Sequence, residues 1–288
     1  MSKETAQNPQ PLLDRPDRKL LLVGRGGGLG ERIGREALEL SGLERPKNVL
    51  IIPSAANNAK AYRRYTEEPN EVFRSLGAKV KVLHGNPNSK TFEDPSAERI
   101  ANMVGEADVI WMSGGNTTQA RNLFDRTGLG QALVDSEGKV ISGGSAGTLL
   151  QANEGISWYT PEGKPEENQW VIERGMGMFK PIVGVHHDYI ENEPWNGGML
   201  DTPRSIHHEA YLEERLTQPG SHDLGVGIDD ASALAISDGT FRVVNAEDAS
   251  PGVGVTSYRR RDSGLIEARF NPQTTQNYLP LDQLRPTA

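Results

Sequence analysis

One pattern recurs five times between residues 19 and 150: a short apolar run, a break, and then a stretch of helical periodicity. The runs are residues 19–24 (KLLLVG), 48–53 (NVLIIP), 79–83 (KVKVL), 107–112 (ADVIWM) and 139–142 (KVIS). The helical stretches cover residues 31–40, a segment ending near Gly77, residues 96–104, residues 117–124 and a segment starting at about Ala146. Parallel strands need a crossover between them, and a helix is the usual one, so this alternation predicts a doubly wound α/β sheet. Ligands of such sheets bind beyond the carboxyl ends of the strands. The turns after the strands are therefore where chemistry is to be sought.

The second half reads differently. Residues 182–185, 224–228, 233–236 and 241–244 look like strands, residues 203–216 like a helix with proline in its first turn, and Asp238-Gly239 is a hairpin signal. No linker-like composition interrupts residues 19–270, which are expected to form one α/β domain. Residues 1–18, polar and proline-bearing, read as a mobile arm, and residues 271–288 as a tail whose Tyr278, Leu279 and Leu281 are able to dock on the body. No stretch approaches the roughly 20 consecutive apolar residues that cross a bilayer. The first residues hold no apolar signal core, so the expectation is a cytoplasmic protein with no membrane partner.

The 288 residues include no cysteine. A thiol nucleophile, a disulfide, a thiolate zinc site and a cysteine-ligated iron–sulfur cluster are thereby excluded. Any nucleophile is an oxygen, a nitrogen or a metal-bound water. Lys and Arg number 31 against 39 Asp and Glu, a formal charge of −8. That balance argues against a general nucleic-acid binder, whose affinity for phosphate depends on clustered cations.

Gly143-Gly144-Ser145-Ala146-Gly147 fits G-x-S-x-G between a strand and a helix. A serine on so sharp a turn projects its hydroxyl clear of the sheet, and small neighbours let the backbone bend. Read otherwise, the same residues are a glycine-rich turn with a helix-capping serine. Ser113-Gly114-Gly115-Asn116 ends the preceding strand and is able to present backbone N–H groups to the same crevice; with Ala146 these would form an oxyanion hole. A serine needs a base. The best placed histidines are His186 and His187 after the strand at 182–185, and only one of two successive strand residues can face Ser145. Asp229 and Asp230 end another strand, and one of them is available to orient the histidine.

Two other signals are weaker. The segment Gly24-Arg25-Gly26-Gly27-Gly28-Leu29-Gly30 satisfies neither G-x-G-x-x-G nor a P-loop, and reads as a loop on the rim of the crevice. His186-His187-Asp188 and His207-His208-Glu209 offer nitrogen and oxygen ligands, but no H-E-x-x-H appears. No metal and no cofactor is expected.

The joint order of these motifs resembles the dipeptidase E and cyanophycinase family of serine peptidases. The resemblance rests on the Gly-Gly-Asn-Thr loop at 114–117, the Gly-x-Ser-Ala-Gly elbow, Gly-Met-Gly-Met before a strand ending in histidine, and Gly-Ile-Asp-Asp-x-x-Ala-Leu, and it spans residues 19–244. It implies a class I glutamine amidotransferase-like fold, a three-layer α/β sandwich with a mostly parallel central sheet. It implies Ser145 as nucleophile and the N–H groups of Gly115 and Ala146 as the oxyanion hole. Matching Val185-His186-His187-Asp188 to a Pro-His-Tyr-Asp type of segment makes His186 the base; aligning Gly-Met-Gly-Met instead makes His187 the alternative. Asp230 occupies the place of the cyanophycinase-type acid. Asn116 and Asp188, next to these groups, are expected to touch the substrate.

The chain departs from the family at two points. Thr148 stands where alanine is usual, and residues 191–196 (ENEPWN) replace the arginine-rich run that follows the histidine in cyanophycinases. The resemblance thus implies a serine exopeptidase for short aspartate-containing peptides rather than for the aspartate–arginine polymer, with Arg174, Arg204 or Arg215 as carboxylate-binding candidates. A homodimer is left open. The rivals are a cyanophycinase-like peptidase, an α/β-hydrolase esterase, whose acid precedes its histidine, for instance Asp201 then His222, and a non-catalytic amidotransferase-like binding module.

Overall fold

The first apolar run is β1 (Lys19–Val23), and its side chains divide between two cores: Leu20 and Leu22 enter one, Leu21 and Val23 the other. Successive strand residues face opposite ways, so a run that is apolar throughout is buried on both faces. These coordinates are a computed structural model that describes residues 11–25, 29–45, 47–56, 58–83, 94–157, 171–187, 204–216, 223–261 and 264–287. After β1 come α1 (Glu31–Glu39), β2 (Asn48–Ile52), α2 (Ala59–Ser75), β3 (Lys79–Val82), α3 (Ala97–Glu106) and β4 (Val109–Met112). Then follow α4 (Thr117–Thr127), α5 (Leu129–Asp135), β5 (Val140–Gly144) and the short α6 (Ala146–Leu149). The five strands of the repeat are all present, and they pair in parallel in the order β1-β5-β4-β2-β3.

Helices cover both faces. Ile33 and Ala37 of α1 and Phe73 of α2 pack with Leu21, Val49, Ile51 and Trp111. Ile100 of α3, Phe124 of α4, Leu133 of α5 and Leu149 of α6 pack on the opposite face with Leu22, Leu50, Ile110 and Ile141.

The second half is richer in strands than its sequence suggests. It contains β6 (Ala152–Ser157), β7 (Val171–Arg174), β8 (Phe179–Val185), α7 (Arg204–Arg215), β9 (Gly225–Ile228), β10 (Ser232–Ser237), β11 (Thr240–Asn245), β12 (Val255–Arg261), β13 (Gly264–Phe270) and β14 (Leu279–Pro280). β10, β11 and β14 extend the first sheet antiparallel from β1, giving β14-β11-β10-β1-β5-β4-β2-β3. The other strands form a second sheet, β13-β12-β9-β8-β6-β7, which the repeat pattern does not announce. Val183, Val226 and Val255 of this second sheet join the core that also holds Leu20 and Ile141. The architecture is a three-layer α/β sandwich around a mostly parallel central sheet. Asp238 and Gly239 turn with φ of 50° and 71°, as a type I′ hairpin requires.

The first end segment differs from expectation. Residues 11–18, assigned to the mobile arm, are docked: Leu12 and Leu13 are buried, Asp14 N–H donates to Met178 O at 3.0 Å, and Lys180 N–H donates to Leu12 O at 2.8 Å. Two leucines in sequence, too few to show a period, are enough to seat this stretch beside β8. The tail also packs, since Leu279 pairs with Phe241, and Leu281 and Leu284 are buried. Among the described residues no helix is long and apolar enough to cross a membrane.

Candidate active site

β5 ends in two glycines, and Ser145 follows with φ 50° and ψ −114°, a conformation that costs about 1–3 kcal/mol for a non-glycine residue. The turn is held by close backbone packing. A Cβ on Gly143 would lie 2.6 Å from the carbonyl carbon of Gly147, and one on Gly147 would overlap the Met112 carbonyl oxygen of β4. Ser145 N–H donates to Val23 O at 3.0 Å, so the elbow is tied to the end of β1. Thr148 adds a second tie. Its buried hydroxyl accepts from Val23 N–H at 2.8 Å and lies 2.6 Å from the Gly143 carbonyl to which it can donate.

His186 leaves β8 with φ 56°. Ser145 and His186 are thus two of the three non-glycine residues with positive φ among those described. His186 Nε2 lies 2.9 Å from Ser145 Oγ, and His186 Nδ1 is hydrogen-bonded to Asp230 Oδ1. Serine, histidine and aspartate form one continuous hydrogen-bonded chain, in that order along the sequence.

The other member of each doublet turns inward. His187 is buried, its Nε2 2.6 Å from the Tyr258 hydroxyl, which donates to Glu209 Oε1 at 3.4 Å. Burial, with the Arg269 charge nearby, brings the His187 pKa down from 6.5 to about 4. Only a glycine fits at 227, because a Cβ there would lie 2.6 Å from His187 Nδ1. Asp229 is fully buried; its Oδ2 accepts from Gly254 N–H at 2.7 Å and is ion-paired with Arg269 of β13. Asp230, with a third of its side chain exposed, faces His186.

Gly115 has φ 131° and packs so closely on the Ala55 carbonyl that a Cβ would overlap it. Asn116 N–H donates to that carbonyl at 2.7 Å. No described residue accepts from the N–H of Gly115 or of Ala146, the residue after the serine. Asn116, expected at the substrate, is buried and its side-chain oxygen caps α4 by accepting from Gln119 N–H at 2.8 Å. Of the arginine candidates, Arg215 is held by Glu154 on β6, with Nε 2.8 Å from Oε2, and Arg174 lies on β7, where its carbonyl accepts from Arg121 at 2.6 Å. Asp188, Asp201, His222, residues 191–196 and the Arg204 side chain lie outside the described residues.

Residues 20–244 match the family model described as Peptidase family S51. The chain belongs to peptidase family S51. The S51 match takes in Ser145, His186 and Asp230 and ends within β11. Family membership makes the protein a serine-type peptidase acting on a peptide substrate. Among solved structures it is similar to a peptidase from an acI-B1 Actinobacterium, at 18% identity and a TM-score of 0.59, over 92% of this chain and 97% of the other. It is also similar to a putative peptidase E protein from Listeria monocytogenes EGD-e, at 18% identity and a TM-score of 0.55, over 80% of this chain and all of the other (100%). No curated protein matches the sequence significantly.

Around this candidate site lie residues that the sequence did not single out. Arg25 reaches the Asp230 turn, its Nε 3.3 Å from Asp230 O and 3.7 Å from Asp230 Oδ2. Tyr258 and Arg269 hold the inward members of the two doublets. The available signal for Arg25 was its place in the glycine-rich turn after β1. For Tyr258 and Arg269 there was none, because β12 and β13 carry polar sequences.

Proposed function

We propose that this S51 peptidase is an exopeptidase for short peptides, working by acyl transfer through Ser145. The observation that carries the reading is the unbroken hydrogen-bonded chain from Ser145 through His186 to Asp230. His186 Nε2 takes the proton of Ser145 as Oγ bonds to the scissile carbonyl carbon, and Asp230 holds Nδ1–H so that Nε2 is the basic nitrogen. The negative charge that develops on the carbonyl oxygen is met by the N–H groups of Gly115 and Ala146. His186 then protonates the leaving amine as the C–N bond breaks. A water, deprotonated by His186, then bonds to the acyl carbon; the bond from that carbon to Ser145 Oγ breaks, and His186 returns the proton to Oγ.

A small peptide with an aspartate residue is the substrate class the family resemblance supports. The acid's position favours a second reading. Asp230 follows the histidine in sequence, as the cyanophycinase-type acid does, so a β-aspartyl-arginine bond belongs in the same screen. The test is hydrolysis of Asp-X dipeptides and β-aspartyl-arginine by wild type and Ser145→Ala. Wild type is expected to cleave at least one of them and Ser145→Ala to lose about 10³-fold or more. Full activity in Ser145→Ala would overturn the reading.

A further inference from the structure

Arg25 sits on the turn between β1 and α1, and the backbone brings it close to the β9–β10 connection that carries Asp230. Gly24 N–H donates to Ser232 O at 2.9 Å, and Gly24 packs so tightly on the Asp229 carbonyl that a Cβ would overlap it. From there the Arg25 Nε donates to Asp230 O at 3.3 Å and lies 3.7 Å from Asp230 Oδ2, the oxygen opposite the one that binds His186. Both terminal nitrogens donate to the Asp248 carboxylate at 3.0 Å, a two-pronged contact that fixes the plane of the guanidinium. The arginine side chain is only 19% exposed.

We propose that Arg25, anchored by Asp248, is a positioning residue that sets the proton affinity of His186 through Asp230. This inference rests on the reading of Ser145, His186 and Asp230 as the catalytic groups. A carboxylate beside an imidazole favours its protonated form, and a general base must be free of its proton to act. A cation on the far oxygen of Asp230 weakens that field. Asp248 in turn weakens the cation, so the pair acts as two opposed adjustments on one histidine. The Asp248 carboxyl is held below its usual range, chiefly by its hydrogen bond from Arg25.

Among the described residues, the neighbouring charged or titratable groups are otherwise engaged. Asp229 is countered by Arg269 from β13, and His187, just past β8, is kept neutral by burial. Glu247, next to Asp248, turns to α1, where it accepts from Arg32 N–H.

The test is an NMR titration of the histidine side chains, with the His186 signal identified by its loss in His186→Gln. In Arg25→Gln the His186 midpoint is expected to rise by about half a pH unit, and in Asp248→Asn to fall by a similar or smaller amount. Arg25→Lys, which keeps the charge, is expected to stay near wild type, and the double variant Arg25→Gln/Asp248→Asn to fall between the single ones. The acid limb of kcat/KM on any cleaved dipeptide should follow the same shifts. Midpoints that do not move, or that move in the same direction in both single variants, overturn the proposal. If Arg25→Gln does not fold, Asp248→Asn decides alone, a downward shift supporting and any other result overturning it. The titration needs no turnover, so it is separable from the catalytic reading, which stands or falls with Ser145→Ala.

Discussion

His186 and His187 are adjacent, yet one faces Ser145 and the other is buried against Tyr258. The same split separates Asp230 from Asp229. The sequence makes both doublets visible, and strand alternation says that only one histidine can face the serine. What decides which one lies far away in the chain: Gly227 leaves room for the His187 ring, and Arg269 waits for Asp229. The buried histidine has a measurable consequence. Its folded pKa is lowered to about 4 from 6.5, so the unfolded chain takes up the proton first as the pH falls. The stability this neutral histidine contributes is present above pH 6.5 and lost between 6.5 and 4, on the order of 3 kcal/mol in all. Urea unfolding at pH 7 and pH 5 is expected to show a smaller difference in His187→Gln than in wild type. An unchanged difference would assign the acid sensitivity to other groups.

Among the elements, the elbow between β5 and α6 is the best specified by local sequence. Gly143 and Gly147 permit the backbone approach that places Ser145, and both were legible from the motif alone. Thr148 was legible only as a departure. Its hydroxyl completes the hydrogen bonding of Val23 N–H and reaches the Gly143 carbonyl, so it couples the neighbouring strand to the elbow at Ser145. Thr148→Val keeps the shape and removes these bonds, at an expected cost of about 1–3 kcal/mol in stability. A fall in kcat without a matching rise in KM would show that Ser145 is displaced as well. The strands of the second sheet were less legible. β12 reads VTSYRRR, yet Thr256 and Ser257 are buried because β9 and β13 pair with it on both sides. Polar residues satisfied by such pairing carry no apolar alternation for a reader of the sequence to find.

Seen as a whole, the site joins the two sheets. Ser145 comes from the end of β5 in the first, His186 from the end of β8 in the second, and Asp230 from the connection between β9 and β10 that passes from one sheet to the other. Their meeting therefore depends on the shared core, and segments remote from the chemistry contribute to it. Leu284, near the chain end, is fully buried in that core. Leu284→Ala is expected to lower stability by about 2–4 kcal/mol, read as the midpoint of urea unfolding. A change below about 0.5 kcal/mol, as at a surface site, would mean that the end segment does not dock.

The catalytic assignment can be read from covalent labelling with a fluorophosphonate, followed by peptide mass spectrometry. One adduct is expected, on Ser145, formed at least about 100-fold more slowly in His186→Gln and at close to the wild-type rate in His187→Gln. An adduct on another serine, or equal labelling rates in wild type and His186→Gln, would contradict the assignment.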